Sequence, residues 1–432
     1  MIMAMMKDTG VPWIGQIPAD WELGKVKYAF DRKKEKSMEK DPTVLSLARA
    51  GVKIRDISTN EGQLAASYEG YNLVEPNDLL LNPMDLVSGA NCSISKVSGV
   101  ISPAYVNLRA KIGFEPRYYD YYFKTQYWNM GFFAHGKGVS FENRWTLNDA
   151  TLRDYYIPMP RLSEQQSIAD YLDKTCSKID AIISETKASI DEYKKLKQSV
   201  IFETITRGLD QNVEIKDSGV EWIGKVSKSV VIKKIKYVSN ISRGLFNYRP
   251  RNAEFLYGGT HPFIQTGDVA RANKYLTEYK QTLSDEGTKV SKLFPKGTLT
   301  MTIAANVGDV SILGFDAYFP DSVLGISPID KYSSEYLYYV LSSMKDEFVR
   351  VSISNTQENL NVERVKELFV PVFENPEYQK RIVDWLNDKC GCIDSLIIEK
   401  EALINKYFML DEAEKEDVVK NIDAYSYEEI ES

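Results

Sequence analysis

Two histidines, His135 and His261, and four cysteines, Cys92, Cys176, Cys390 and Cys392, are the first side chains to test for chemistry in this 432-residue sequence. No two cysteines stand in C-x-x-C spacing and the histidines lie far apart, so neither a metal site nor a disulfide framework is expected. "HGKGVS" at 135–140 lacks the G-x-x-x-x-G-K-[ST] spacing that cradles nucleotide phosphates, which excludes an ATP motor of that kind. "NPMD" at 82–85 approximates the N-P-P-aromatic signature of amino-methyltransferases but lacks the aromatic that would stack an extruded base; Pro83 is expected to mark a turn. "IAANVGDV" holds one glycine and reads as a tight bend, not as a cofactor loop. Each histidine is expected in a loop or packed, and no catalytic residue is expected.

Binding chemistry remains. The net charge of −7 speaks against a polyanionic partner, but its distribution does not. The stretch Asp411–Ser432 carries nine acids and two lysines, which accounts for the whole excess. Residues 1–162 and 211–372 are each net +2, and the intervening 163–210 and 373–410 are each net −2. Arginine, lysine and carboxamide side chains are the usual readers of phosphates and base edges. The candidates are Arg49, Lys53 and Arg55 in "LARAGVKIRD", Arg243, Arg249 and Arg251 in "SRGLFNYRPR", and Arg271 and Lys274 in "DVARANK". Arg144, Gln357 and Asn359 join them from matched loops, "FENRWTL" and "TQENLNV". Any one of these alone is ordinary solvated charge; as groups they suggest an interface. The mixed-charge run 31–40 reads as a solvated loop.

The elements that must carry these residues come twice. "DTGVPWIGQI" at residue 8 returns at residue 217 as "DSGVEWIGKV", and Lys27-Tyr28 returns as Lys236-Tyr237 at the same spacing of 209. "IADYLDKTCSKIDAII" (168–183) returns as "IVDWLNDKCGCIDSLI" (382–397). Each copy begins with about 160 residues of short β-rich runs, such as "SISKVSGVI" and "GDVSILGF", and Tyr-rich amphipathic helices whose tyrosines fill the core. Each ends in a long helix. In the first, Ser163 and Gln166 form a capping-box signature. Leu172, Ile179, Tyr193 and Val200 then share one heptad position, and Cys176, Ile183 and Ile190 the other; Thr186 and Lys197 interrupt the pattern. In the second, Leu386, Ile393 and Tyr407 match the first of these positions and Cys390, Ile397 and Ile404 the other, with Lys400 as the polar break. Such seams suit two rods of roughly 60 Å paired as a coiled coil.

The predicted fold is therefore α+β. It is a tandem duplication of a mixed globular domain followed by a long helix, with the two helices packed as an antiparallel coiled coil. The parts are 1–162, a globe; 163–210, a central helix; 211–372, a second globe; 373–410, a C-terminal helix; and 411–432, an acidic tail. A hydrophobic content of 43% supports real cores, no apolar run is long enough to span a membrane, and "MIMAMM" lacks the features of a secretory signal. A soluble protein of the reducing cytoplasm is expected. Two similar but diverged modules held by a ruler suit duplex DNA read at two half-sites of different sequence.

The order of these parts, with "WELGKVKYAF", "IPMPRLSEQQSIADYLD", "FIQTGDV", "TIAANVGDVSIL", "TQENLNVERVKELFVPV" and "VDWLNDKCGCID", resembles the specificity subunit of Type I restriction–modification enzymes over nearly the whole chain. The second helix departs from the first: "ENPEYQKRIVDWL" keeps only Gln379 and the apolar spacing. The resemblance implies a subunit without a catalytic site. It implies two target-recognition domains that read a split DNA sequence, and helices that bind two copies of an adenine methyltransferase subunit. S-adenosylmethionine would belong to that partner, and a motor–nuclease subunit would be an additional one. Two other readings stay open: a coiled-coil scaffold whose globes bind proteins, and a self-contained DNA methyltransferase or nuclease.

Overall fold

The computed structural model describes residues 5–49, 51–57, 65, 67–87, 91–138, 145–210, 212–353 and 360–406. Two compact units emerge. One holds the residues up to Ile183 with Asn405 and Lys406; the other runs Ser184–Ile404. The division falls inside the first long helix, Leu162–Arg207, which occupies nearly the span 163–210 expected for it.

In the first unit Phe30–Arg32, Val106–Ala110, Leu79–Leu81 and Cys92–Ile94 form an antiparallel sheet in that order. Helix Pro116–Trp128 lies against it and buries Tyr118, Tyr119, Phe123 and Tyr127. The helix starts where it does because Pro116 tolerates the first turn and the Glu115 carboxylate accepts the Arg117 amide at 3.2 Å. "SISKVSGVI" forms two strands but no hairpin: Cys92–Ile94 joins the sheet, while Gly99–Ile101 pairs with Asn72–Val74. The run 31–40 is mostly an exposed loop, as expected, but its cations are tied down. Arg32 and Lys34 both hold Asp149, at 3.2 and 3.0 Å, and Lys36 holds Asn72 at 2.7 Å. Asn82–Asp85 turns as expected, with the Asn82 Oδ1 accepting the Met84 amide at 3.0 Å. His135 is a packed residue, 3% exposed, against Trp13 and Tyr155, with Nδ1 2.7 Å from the Gly131 carbonyl.

In the second unit a five-stranded sheet has the order Ser239–Arg243, Val323–Pro328, Leu299–Thr302, Val310–Leu313, Tyr275–Leu276, with only the last pair parallel. A four-stranded sheet of Gln281–Leu283, Tyr257–Phe263, Ala317–Tyr318 and Leu293–Phe294 adds to it. Helix Ser334–Ser342, capped by Ser333, buries Tyr336, Tyr338 and Tyr339 against the larger sheet.

The repeated sequences build repeated local structure. Met6–Asp8 pairs with Gln16–Pro18 as Ile215–Asp217 pairs with Lys225–Ser227, in the same register. Between them Asp8 Oδ1 accepts the Gly10 amide at 3.0 Å, and Asp217 Oδ1 the Gly219 amide at 2.8 Å. Glu22–Lys25 pairs with Tyr156–Met159 as Val231–Lys234 pairs with Phe369–Val372. Each long helix then follows.

The first helix begins at Leu162, so Ser163 lies inside its first turn and does not cap it. The side chain that serves the start is Gln165, 1% exposed, whose amide donates to the Pro160 carbonyl at 2.7 Å while its oxygen accepts the Glu115 amide at 2.8 Å. Gln379 repeats the first of these contacts, donating to the Phe373 carbonyl at 2.8 Å at the start of Pro376–Lys406. The one polar residue that the second helix start keeps is thus the one that ties a helix to the preceding strand.

Within the second unit the helices run antiparallel. Ile190, Ile393 and Ile397 are buried together, with Tyr193 and Ile404 packed on them. Each fully buried isoleucine is worth about 1.5–3 kcal/mol. The polar breaks of the heptad are themselves partners: Lys197 bridges both Asp394 oxygens, at 2.7 and 2.8 Å, and Lys400 sits over the Tyr193 ring at 5.7 Å. Leu386 and Cys390 leave this seam and enter the main core of the unit with Ile201, Ile205 and Tyr336. Ile201 and Ile205 lie outside the heptad reading because the last helical turns also face the globe. Leu172, Cys176, Ile179 and Ile183 are half-buried and belong to the first unit. Tyr407 and the acidic tail lie outside the described residues.

Two predictions follow from these buried polar groups. Burial pushes the His135 pKa from 6.5 down to about 4, so between those values the unfolded chain binds more protons and stability falls as pH falls. His135→Phe should flatten the pH dependence of unfolding in that window by up to about 3 kcal/mol; equal slopes in the two proteins would contradict this. Lys197 and Asp394 are 17% and 22% exposed, so Asp394→Ala strands a charge and should cost about 2–3 kcal/mol in chemical denaturation. The double variant Lys197→Met/Asp394→Leu should recover most of that loss.

Candidate nucleic-acid interface

In the first unit the candidate basic residues sit on one hairpin, Leu45–Ala48 paired with Gly51–Ile54. Leu45 and Leu47 are buried beneath it. Gly51 takes φ +104°, a conformation costly for any residue with a Cβ, and so closes the turn. Arg49 in the turn and Lys53 on the second strand are exposed and hold no ion pair or hydrogen bond among the described residues. Arg55 is half-buried and engaged. The hairpin therefore offers two unneutralised cations on a braced, two-stranded projection, the form that phosphate contacts need.

In the second unit the cluster is more elaborate. Arg243 ends the edge strand of the five-stranded sheet, and Gly244 follows it. A Cβ on Gly244 would lie 2.1 Å from the Pro320 carbonyl oxygen, so only glycine lets this loop pass so close to Phe319–Asp321. That approach brings Arg243 Nε within 2.6 Å of the Asp321 carbonyl and Arg251 within 2.9 Å of both carboxylate oxygens. Arg249 stays exposed and folds back along its own loop, donating to the Phe246 and Tyr248 carbonyls at 3.2 and 3.0 Å. Two of the three arginines thus shape the loop through Asp321, and the third braces its backbone. Tyr248 and Phe255 stand beside them, exposed and edge to face at 5.3 Å.

This loop borders an open cavity of about 480 Å³ lined by Arg251, Asn252, Glu254, Tyr257, Gly258 and Gln281. Carboxamides can pair both ways with an adenine edge, and arginine with a guanine edge. Asn252 and Gln281 lie outside the sequence-derived candidates. Asn252 adjoins Arg251, which is signal enough in hindsight. Gln281 reaches the cavity only because Gln281–Leu283 pairs with Tyr257–Phe263.

Two candidates are placed elsewhere. Arg271 pairs with Asp268, the carboxylate that closes the capping box of helix Thr266–Arg271. Lys274 is 15% exposed; it donates to Asn387 Oδ1 at 2.6 Å, lies 3.3 Å from Glu335 and sits over the Tyr339 ring at 4.9 Å. Desolvation lowers its pKa. It fastens the second globe to the second helix and offers no free charge to a phosphate. Arg144, Gln357 and Asn359 lie outside the described residues. Among the described residues no group of three or more His, Cys, Asp or Glu is placed to hold a metal ion, and no helix is long and apolar enough to cross a membrane.

Known proteins resemble the chain in both halves of the repeat. The family model described as Type I restriction modification DNA specificity domain matches residues 93–192 and 227–405, once in each copy of the repeat. The Type I restriction enzyme EcoBI specificity subunit of Escherichia coli is 25% identical over 374 residues, 81% of this chain and 74% of its own. The Type I restriction enzyme MjaIX specificity subunit of Methanocaldococcus jannaschii is 29% identical over 170 residues, 38% of this chain. The chain spans only 39% of the length of that relative. A solved chain from a study of complex assembly and conformational transition in a type I R-M system shares the fold over 90% of this chain and 95% of its own, with a TM-score of 0.66 at 14% identity. With the model matched in both halves, the chain belongs to the Type I restriction–modification DNA specificity family.

Proposed function

We propose that the chain is the DNA-reading subunit of a Type I restriction–modification enzyme, and that its two recognition domains each read one block of a split duplex target. The observation that carries this reading is a repeated framework under two different reading surfaces. The strand pairs and helix starts recur in register, while one copy presents the Arg49–Lys53 hairpin and the other the Arg251–Gln281 cavity. A protein that met the same ligand twice would have no reason to diverge there.

In this reading the chain itself is not an enzyme. Two copies of an adenine methyltransferase subunit, one per repeat, would extrude and methylate the target base, and S-adenosylmethionine would be bound by them. A motor–nuclease subunit would add restriction, and the complex would work in the cytoplasm. Arg49 and Lys53 would hold phosphates; Arg251, Asn252 and Gln281 would reach base edges.

Selection from a random duplex library with the chain and its methyltransferase should enrich two short blocks separated by a fixed gap. No enriched motif would contradict the proposal. Arg49→Ala/Lys53→Ala should weaken binding evenly across sequences and lower the salt slope by about 2. Asn252→Ala should instead relax one position of one block by about 1–3 kcal/mol.

A further inference from the structure

A further duplication lies on the strand pair that precedes each long helix. Where Lys25 pairs with Tyr156 across the strands, its ammonium lies 5.1 Å from that ring; where Lys234 pairs with Phe369, the distance is 5.5 Å. Two residues on, Lys27 bridges Asp154 at 2.5 Å and lies 5.6 Å from the Tyr28 ring. Lys236 bridges Glu367 at 2.5 Å and lies 5.2 Å from the Tyr237 ring. The carboxylates end matched helices, Asp149–Asp154 and Val362–Glu367, each with an asparagine N-cap.

The tyrosine at the centre of each patch is 56% exposed in one copy and 59% in the other. Neither ring contributes to a core cluster, so the fold does not account for them. The sheets around the two patches differ in strand number and order, and the reading loops differ throughout. A surface repeated residue by residue between such different neighbours meets the same thing on both sides.

Duplex DNA is one repeated ligand, through its phosphates. The patch is poorly made for it, because each lysine beside the tyrosine is already matched by a carboxylate that a phosphate would have to approach. An exposed aromatic beside a lysine–carboxylate pair is instead the composition of a protein interface, where tyrosines are frequent anchors. We propose that Lys25, Lys27, Tyr28, Asp154 and Tyr156, and their duplicates Lys234, Lys236, Tyr237, Glu367 and Phe369, form two docking sites for two copies of one protein partner. This rests on the reading above, which makes that partner the adenine methyltransferase subunit. It adds a site on the strand pair of each recognition domain to the helical contacts that the family resemblance implies.

The test uses the full chain mixed with the methyltransferase subunit and weighed by native mass spectrometry, with affinity measured by titration. The wild-type chain should carry two copies. Tyr28→Ala and Tyr237→Ala should each weaken one site by about tenfold, and the double variant both, with unchanged melting because both rings are mostly exposed. Tyr28→Phe should keep most of the affinity, since the ring supplies the contact. Unchanged stoichiometry and affinity in the double variant would overturn the proposal. So would a loss confined to DNA binding, which would make the patch a phosphate contact. A wild-type chain that binds no methyltransferase would fail the functional reading itself, and the docking proposal with it.

Discussion

The tie between each long helix and the strand that precedes it sets the rest of the structure. A buried glutamine, Gln165 or Gln379, donates to a backbone carbonyl just before the helix. The strand it secures pairs with the strand that opens the globe. Buried polar groups of this kind are costly when unpaired, so the helix has one angle at which to leave the domain. In the second unit the same logic continues along the helices. The apolar cluster at Ile190, Ile393 and Ile397 has no unique register by itself, since isoleucine packs on isoleucine at several offsets. Lys197 over Asp394 does, because a charge one turn away from its partner would be stranded.

That framework lets one chain carry two different candidate loops. Lys274, Asn273, Asn387 and Asp394 join the second globe to the helix pair through side-chain hydrogen bonds. The loops that vary, the Arg49 hairpin and the Asp321-centred arginine loop, project from sheets whose buried faces need not change when the loops do. The loops can diverge without disturbing the sheets beneath them, as expected when variable surface loops are carried on a rigid scaffold.

The duplication was legible in the sequence because the residues that repeat are those with fixed backbone or packing duties: Asp8 and Asp217 in their turns, Trp13 and Trp222 beside them, Gln165 and Gln379 at the helices. The heptad was legible where Ile190, Tyr193, Ile393, Ile397 and Ile404 pack and at Lys197 and Lys400, but Leu386 and Cys390 serve the globe instead. The site was less so. Lys274 looks like any basic loop residue until Glu335 and Asn387 are brought to it from 61 and 113 residues away. Arg249 looks free until its own loop folds back on it. Asn252 and Gln281 become neighbours only through strand pairing. Local sequence carries the framework; side-chain neutralisation is a long-range property that charge counting misses.

If this chain selects a split DNA sequence for methylation, its loss must be visible in the methylation of its own genome. The most direct measurement is a whole-genome map of methylated adenine in the source cell, with and without this gene. The account predicts that one motif of two short blocks around a fixed gap loses its methylation on deletion. An unchanged map, with the methyltransferase expressed, would contradict it and favour a chain that binds something other than DNA.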